Sequence, residues 1–240
     1  MAGASQVLRL EGRVALITGA SRGIGRAVAL RFAKEGAQVI LAARTRGALE
    51  EVDDEIRDAG GSATLVPVNL TDYSKVDEMG AAVFERFRRL DVLVGNAGML
   101  GVPGPLPHLD PKVWAEVIDT NLTANWRLIR SFDPLLRMSD SGRAIFVTSG
   151  LGSEPRAYWN AYAVSKAALE MMVRGYAAEL AKTPVRVNLL DPGNVRTGMR
   201  AQAFPGEDPM TLAPPETVTD LFVELAEAGC QRQGEVVRAY

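Results

Sequence analysis

Val14-Ala15-Leu16-Ile17-Thr18-Gly19-Ala20-Ser21-Arg22-Gly23-Ile24-Gly25 is the stretch on which the reading of this chain turns. Four consecutive apolar residues, Val14 to Ile17, make a strand buried on both faces rather than a half-exposed one that would alternate. Arg26 to Glu35 then places Ala27, Leu30 and Ala33-Lys34 at spacings of three and four, a helical period ended by Gly36. Between strand and helix stand Gly19, Gly23 and Gly25. Glycine admits unusual dihedrals and lets backbone come close to a ligand, and a helix N-terminus offers free N–H groups and the positive end of its dipole to an anion. The spacing is GxxxGxG, not the GxGxxG of the general dinucleotide fingerprint, and a glycine-rich turn without ligand is the competing reading. Its place between the first strand and the first helix favours a nucleotide.

The same alternation continues outward from this loop. Apolar runs at 39–42, 63–68, 92–94, 144–148 and 186–190 read as strands, with a last short strand at 235–238. Helical segments fall at 47–58, from an Asp72 N-cap to about Phe87, from Asp110-Pro111 to about Met138, at about 159–180 and at 216–227. Six β-α units and a closing strand, all with continuous apolar strands, predict an α/β fold: one doubly wound parallel sheet of about seven strands with helices on both faces. No linker or charge block divides the 240 residues, so a single domain over 1–240, with its core at about 10–238, is expected. The acidic run Glu50 to Glu55 reads as a solvated helix face.

Composition restricts the chemistry. A net charge of −2 argues against a nucleic-acid or anionic-membrane surface. No apolar h-region opens the sequence and no long apolar run crosses it, so a cytoplasmic protein is expected. The single Cys, Cys230, cannot form an internal disulfide or a zinc cluster, and no metal site is expected. The single His, His108, lies in a Gly/Pro-rich loop with no ordered Ser or acid partner. Proton transfer therefore falls to Tyr, Lys, Asp or Glu. Tyr162 and Lys166 are four residues apart, one turn on a shared helix face. A neighbouring ammonium is expected to lower the phenol pKa from about 10, which would let Tyr162 give or take a proton near neutrality.

Five motifs in order give this chain a resemblance to the short-chain dehydrogenase/reductase family, over roughly residues 10–238. TGASRGIG at 18–25 resembles its cofactor loop and Gly95-Asn96-Ala97-Gly98 its NNAG. Ser149 ends a strand, Tyr162 to Lys166 is its YxxxK, and Asp191-Pro192-Gly193-Asn194-Val195-Arg196-Thr197 resembles its PG motif. The resemblance implies a Rossmann-type fold and an NADP(H)-dependent hydride transfer between nicotinamide and a carbonyl or secondary alcohol. It assigns catalysis to Asn121, Ser149, Tyr162 and Lys166. Ser149 would orient the substrate oxygen, and Asn121 would hold a water linking Lys166 to solvent; a polar residue structuring a helix bulge is the alternative for Asn121. Ser165 reads as packing, while Thr148 should face away from the Ser149 side. Trp159, and also Tyr158, are pocket candidates; Trp114 and Trp126 read as packing.

For the cofactor the resemblance assigns Gly19, Ser21, Arg22, Gly23, Ile24 and Gly25, with Asn69 and Leu70 at the adenine edge. Asn96, Ala97 and Gly98 would line the adenine ribose, Tyr162 and Lys166 the nicotinamide side, and Pro192, Gly193, Val195 and Thr197 the nicotinamide. Gly95 stands where the family has Asn, which puts a structural hydrogen bond in doubt. The second strand ends Ala42-Ala43-Arg44, with no acid at the place that would bind ribose hydroxyls. A carboxylate there would repel a 2′-phosphate, whereas Arg44, helped by Arg22, can hold one, so NADP(H) is expected over NAD(H). The segment from Gly198 to Pro209 should close over substrate with an apolar wall. Two other readings stay open: a non-enzymatic dinucleotide sensor, and a family member catalysing dehydration or epimerisation. The resemblance also implies a homodimer or homotetramer paired through the helices near 111–138 and 159–180.

Overall fold

A computed structural model describes residues 8–240; the first seven residues, part of the reading on targeting, lie outside it. Seven strands form one parallel sheet: β1 (Val14–Thr18), β2 (Gln38–Ala43), β3 (Ala63–Pro67), β4 (Val92–Gly95), β5 (Arg143–Val147), β6 (Arg186–Asp191) and β7 (Val236–Arg238). Their order is β3-β2-β1-β4-β5-β6-β7 and every pairing is parallel. The expected doubly wound α/β sheet is therefore present. The winding reverses between β1 and β4, so a crevice opens at the carboxyl ends of those two strands, where such sheets bind ligands.

Continuous apolar strands serve two cores. Along β1, Val14 and Leu16 face one side and Ala15 and Ile17 the other. The first side packs on α3 (Tyr73–Phe87), α5 (Ala124–Arg137) and α6 (Asn160–Glu179) through Val76, Phe132 and Leu169. The second packs on α1 (Gly23–Lys34), α2 (Arg46–Asp58) and α8 (Thr219–Ala226) through Phe32, Ile56 and Phe222. All six of these side chains are 0–1% exposed, so the site is mounted on rigid elements. No helix among the described residues is long and apolar enough to cross a membrane.

Four boundaries differ from the sequence reading. Helix α1 starts at Gly23, not near Arg26, because Arg22 in extended backbone (φ −162°) delivers the chain straight into the first turn. The single helix expected over 111–138 is α4 (Pro111–Ile118), a π-helical turn at Asp119–Thr123 and then α5. The last helix begins as a tight turn at Pro215–Val218 before α8, because Pro214-Pro215 donate no amide. A short helix, α7 (Gly198–Ala203), lies in the segment read as a lid.

Candidate active site

The glycine loop is built for close approach. Gly19 has φ +65°, and a side chain there would come within 3.0 Å of the Ala97 Cα. A Cβ on Gly25 would strike the Gly19 carbonyl and lie 2.5 Å from the Asn96 amide nitrogen. Thr18, which the sequence reading passed over, ties this loop to β4. Its hydroxyl donates to the Val94 carbonyl (3.1 Å) and accepts from the Asn96 and Ala97 amides at 2.9 and 3.1 Å. The Asn96 side chain donates to the Thr18 carbonyl at 2.9 Å. Asn96 therefore braces the two strand ends through its side-chain nitrogen. Gly95 is required by packing: a Cβ there would strike Phe146 and lie 2.6 Å from Asn125 Oδ1, a buried atom with no hydrogen-bond partner.

A cleft of about 320 Å³ runs from this loop, lined by Arg22, Arg44 and Gly98, by Met99 to Val102, and by Val113, Glu116, Met199 and Gln202. Arg22 and Arg44, far apart in sequence, thus share one cleft; both are exposed, and neither guanidinium has a partner among the described residues. A glycine cradle at the amino end of a twelve-residue helix, beside two unmatched cations, fits a phosphate-bearing dinucleotide. Ser21, Gly23 and Ile24 lie partly exposed in that loop and first turn. Asn69 is exposed beyond β3, its side chain accepting from the Thr71 amide at 3.3 Å. The Leu70 side chain enters the first core, which leaves its backbone to face an adenine. Pro192 and Gly193 follow β6, and Val195 is buried in the second core. Thr197 caps α7, its hydroxyl accepting from the Arg200 amide at 3.2 Å, and its methyl lies against Gly23.

At the far end of the crevice, α6 presents Tyr162 half-buried and Lys166 buried. The Lys166 ammonium donates to the Val147 carbonyl at 2.8 Å and lies 5.7 Å from the centre of the Tyr162 ring. Burial lowers the Lys166 pKa to about 8, with Asp191 and Glu170 pulling it back up. Burial raises the Tyr162 pKa to about 12; the Ser149 hydroxyl beside it acts in the opposite sense and Asp191 adds to the rise. The expected depression of the phenol pKa is not found: desolvation of the ring, with the carboxylate of Asp191, raises it against the Ser149 hydrogen bond. Thr148 does face away, its hydroxyl donating to buried Glu170 at 2.8 Å.

Asn121 sits in the π-helical turn, the bulge its alternative reading names. Its side-chain oxygen accepts from the Met99 amide at 2.8 Å, and its nitrogen donates to the Met99 carbonyl and the Ser165 hydroxyl at 2.9 and 3.0 Å. Both side-chain donor hydrogens are thus used within the protein, and the π-helical turn is what swings the side chain onto the Met99 backbone. Ser165 does more than pack, since its hydroxyl also donates to the Tyr162 carbonyl at 2.7 Å. The sequence reading missed Asp191 and Glu170 as charges flanking Lys166. Both had a signal: Glu170 is one helical turn beyond Lys166, and Asp191 ends a strand at the ligand edge. Asp191 accepts from the Gly193 amide at 3.1 Å and from the Tyr240 hydroxyl at 2.9 Å.

Trp159 stands edge-on to Tyr162, ring centres 6.2 Å apart, and Phe204 packs on Trp159 at 5.6 Å. Of the segment after Thr197, Met199 lines the cleft and Phe204 packs on Trp159. Tyr158 is 59% exposed with φ 74°, and its carbonyl accepts from the Gly104 amide at 2.8 Å. His108 is exposed on the 101–110 loop, and Trp126 is 45% exposed rather than packed inside.

Fold and site together define an α/β oxidoreductase with a dinucleotide-binding crevice. The sequence model described as short chain dehydrogenase matches residues 13–208, and the chain belongs to that family. It is 37% identical to the uncharacterised oxidoreductase YciK of Escherichia coli K12, over 90% of this chain and 86% of the relative. It is 36% identical to the dichlorocyclohexadienediol dehydrogenase LinX of Sphingobium indicum, over 82% of this chain and 78% of that one. A short-chain dehydrogenase from Escherichia coli CFT073, solved in complex with NADPH, superposes with a TM-score of 0.94 at 36% identity, covering 98% of this chain and 99% of the other.

Proposed function

We propose that this enzyme is an NADP(H)-dependent reductase of ketones and related carbonyls, with Tyr162 as the proton donor, working in one domain across residues 1–240. The observation that carries the reading is the half-buried Tyr162 over buried Lys166, with Ser149 beside the phenol, near a glycine-cradled crevice. Bound NADPH would supply hydride to the carbonyl carbon. The loop residues 19–25 would hold its pyrophosphate, Arg22 and Arg44 its 2′-phosphate, and the 192–197 turn its nicotinamide end. Ser149 donates a hydrogen bond to the substrate oxygen, and the Tyr162 O–H bond breaks as the forming alkoxide takes its proton. The Lys166 ammonium supports the resulting phenolate until solvent reprotonates it. Asn121 acts through Met99 and Ser165 as a positioning residue.

The apolar walls at Met99 to Val102, Met199, Trp159 and Phe204 suit a substrate with a hydrocarbon or ring body; the name of LinX, a dehydrogenase of a cyclic diol, agrees with that class. Scanning cyclic ketones with NADPH at the nicotinamide absorbance band tests the activity. Binding of NADPH with no turnover of any carbonyl or alcohol would return the reading to a sensor.

The acid–base groups set a pH window. A phenol held at about 12 is protonated at neutral pH, the form that donates to the alkoxide in reduction. The Lys166 pKa is depressed, so its charge is present below about 8 and lost as pH rises through that value. The kcat/KM for reduction is expected to be level from about pH 6 to 8 and then to fall about tenfold per pH unit. A profile rising through that window would contradict the assignment of Lys166.

We also propose a homo-oligomer paired through α5 and α6, and a cytoplasmic location consistent with one unpaired cysteine. Trp126, Val164 and Met171 are 45%, 44% and 70% exposed there, around an apolar groove with Leu122 and Met172. Light scattering is expected to give at least twice the 25.8 kDa chain mass, and Met171→Lys to shift it toward the monomer. A monomeric wild type would overturn this.

A further inference from the structure

We propose that Arg156 forms a carboxylate-binding subsite at the mouth of the cleft, selecting substrates whose carbonyl-bearing body also carries an anionic group. The inference deepens the reductase reading and depends on Tyr162 being the reacting end of the cleft. Arg156 lies on the wall beside Tyr162: its guanidinium carbon is 5.7 Å from the centre of the Trp159 ring and 5.5 Å from that of Phe204. Trp159 in turn meets Tyr162 edge-on. Cation–π contact with two rings holds the guanidinium against the aromatic pair, and none of its N–H groups has an acceptor among the described residues.

A second arginine on the same ring shows what a satisfied cation looks like here. Arg200 stacks on Phe204 at 3.9 Å, but its edge is used up. It makes a two-pronged pair with Glu207, both contacts at 2.6 Å, and a third bond to Asn194 at 3.0 Å. Asp208, the next carboxylate along, caps the following turn through the Met210 amide at 2.9 Å. Glu207 and Asp208 are therefore committed, and the exposed Arg156 has no carboxylate or hydrogen-bond partner among the described residues, Glu154 two residues back being exposed and unpaired as well.

The loop that carries Arg156 is also held in shape. Tyr158, two residues on, keeps a left-handed φ of 74°, a conformation unfavourable for a non-glycine residue. Its carbonyl is bonded to the Gly104 amide of the opposite rim, 2.8 Å away. An unfavourable turn tied across the cleft fixes the approach of Arg156 to Trp159. A carboxylate bound there would be recognised by the guanidinium fork while the aromatic pair covers the substrate body.

The test uses two probes of one shape, para-acetylbenzoate and its methyl ester, titrated calorimetrically into the full chain loaded with NADPH. The wild type is expected to bind the acid at least about tenfold more tightly than the ester. Arg156→Gln should bring that ratio near unity, and Arg156→Lys should restore part of it. Equal binding by the wild type, a preference surviving in Arg156→Gln, or binding of neither probe would overturn the subsite. The ratio separates a specific loss from a damaged wall, because a damaged wall weakens both probes alike. Turnover of the ester reports separately on the reductase reading: an acid preference without any turnover would remove that reading and keep the anion subsite.

Discussion

Tyr162→Phe is expected to lower kcat for ketone reduction by about a thousandfold, roughly 4 kcal/mol of transition-state stabilisation, while the Kd for NADPH stays within about twofold. The substitution removes one oxygen and little else. The ring keeps its edge contact with Trp159 at 6.2 Å, and Lys166 keeps its bond to the Val147 carbonyl at 2.8 Å. What disappears is the donor that protonates the alkoxide, so the loss should fall on kcat rather than on binding. The residual rate measures what Ser149 and approximation achieve alone. A Phe variant within about tenfold of wild type would remove Tyr162 from the mechanism, since general acid–base groups contribute on the order of a hundredfold or more. Unfolding cannot mimic the expected result, because an intact cofactor Kd requires an intact crevice.

The parts of this molecule legible in the sequence are those governed by local pattern. A parallel sheet covered on both faces turns each strand into an unbroken apolar run, and the runs at β1, β2 and β4 show this with Val14 to Ile17, Val39 to Ala42 and Val92 to Val94. The glycine spacing and the YxxxK are equally local. What was hidden depends on partners distant in sequence. Nothing near Asn121 announces a π-helical turn, because the turn is set by the Met99 backbone and by Ser165 on another helix. The direction of the Tyr162 pKa was read from its one sequence neighbour, Lys166. It is decided instead by burial and by Asp191, which β6 brings in from beyond the sequence window. Leu70 shows the same limit: it follows β3 by three residues, and only the folded packing reveals that its side chain turns into the core.

Cofactor choice rests on two positions that the fold brings together, and it gives the second large expected effect. At the end of β2, Ala43 stands where an acid would meet ribose hydroxyls, and Arg44 follows it into the cleft that Arg22 also lines. A 2′-phosphate would find two guanidinium groups with no competing partner among the described residues. A charge-assisted contact of this kind contributes about 1.5–3 kcal/mol, so Arg44→Ala should raise the Kd for NADPH by about tenfold to a hundredfold. NADH, lacking the phosphate, should shift by no more than about threefold. Adding Ala43→Asp should go further, because the new carboxylate repels the phosphate and offers an acceptor to the ribose hydroxyls; the double variant is then expected to prefer NADH. Both guanidinium groups are exposed to solvent, so salt must weaken the effect: with a Debye length of about 8 Å at 0.15 M, the wild-type preference should narrow as ionic strength rises. Fluorescence titration of both cofactors, at two salt concentrations and without any substrate, reads all of this. If Arg44→Ala raised the two dissociation constants equally, the arginines would be holding the shared pyrophosphate or the loop itself, and the 2′-phosphate assignment would fall.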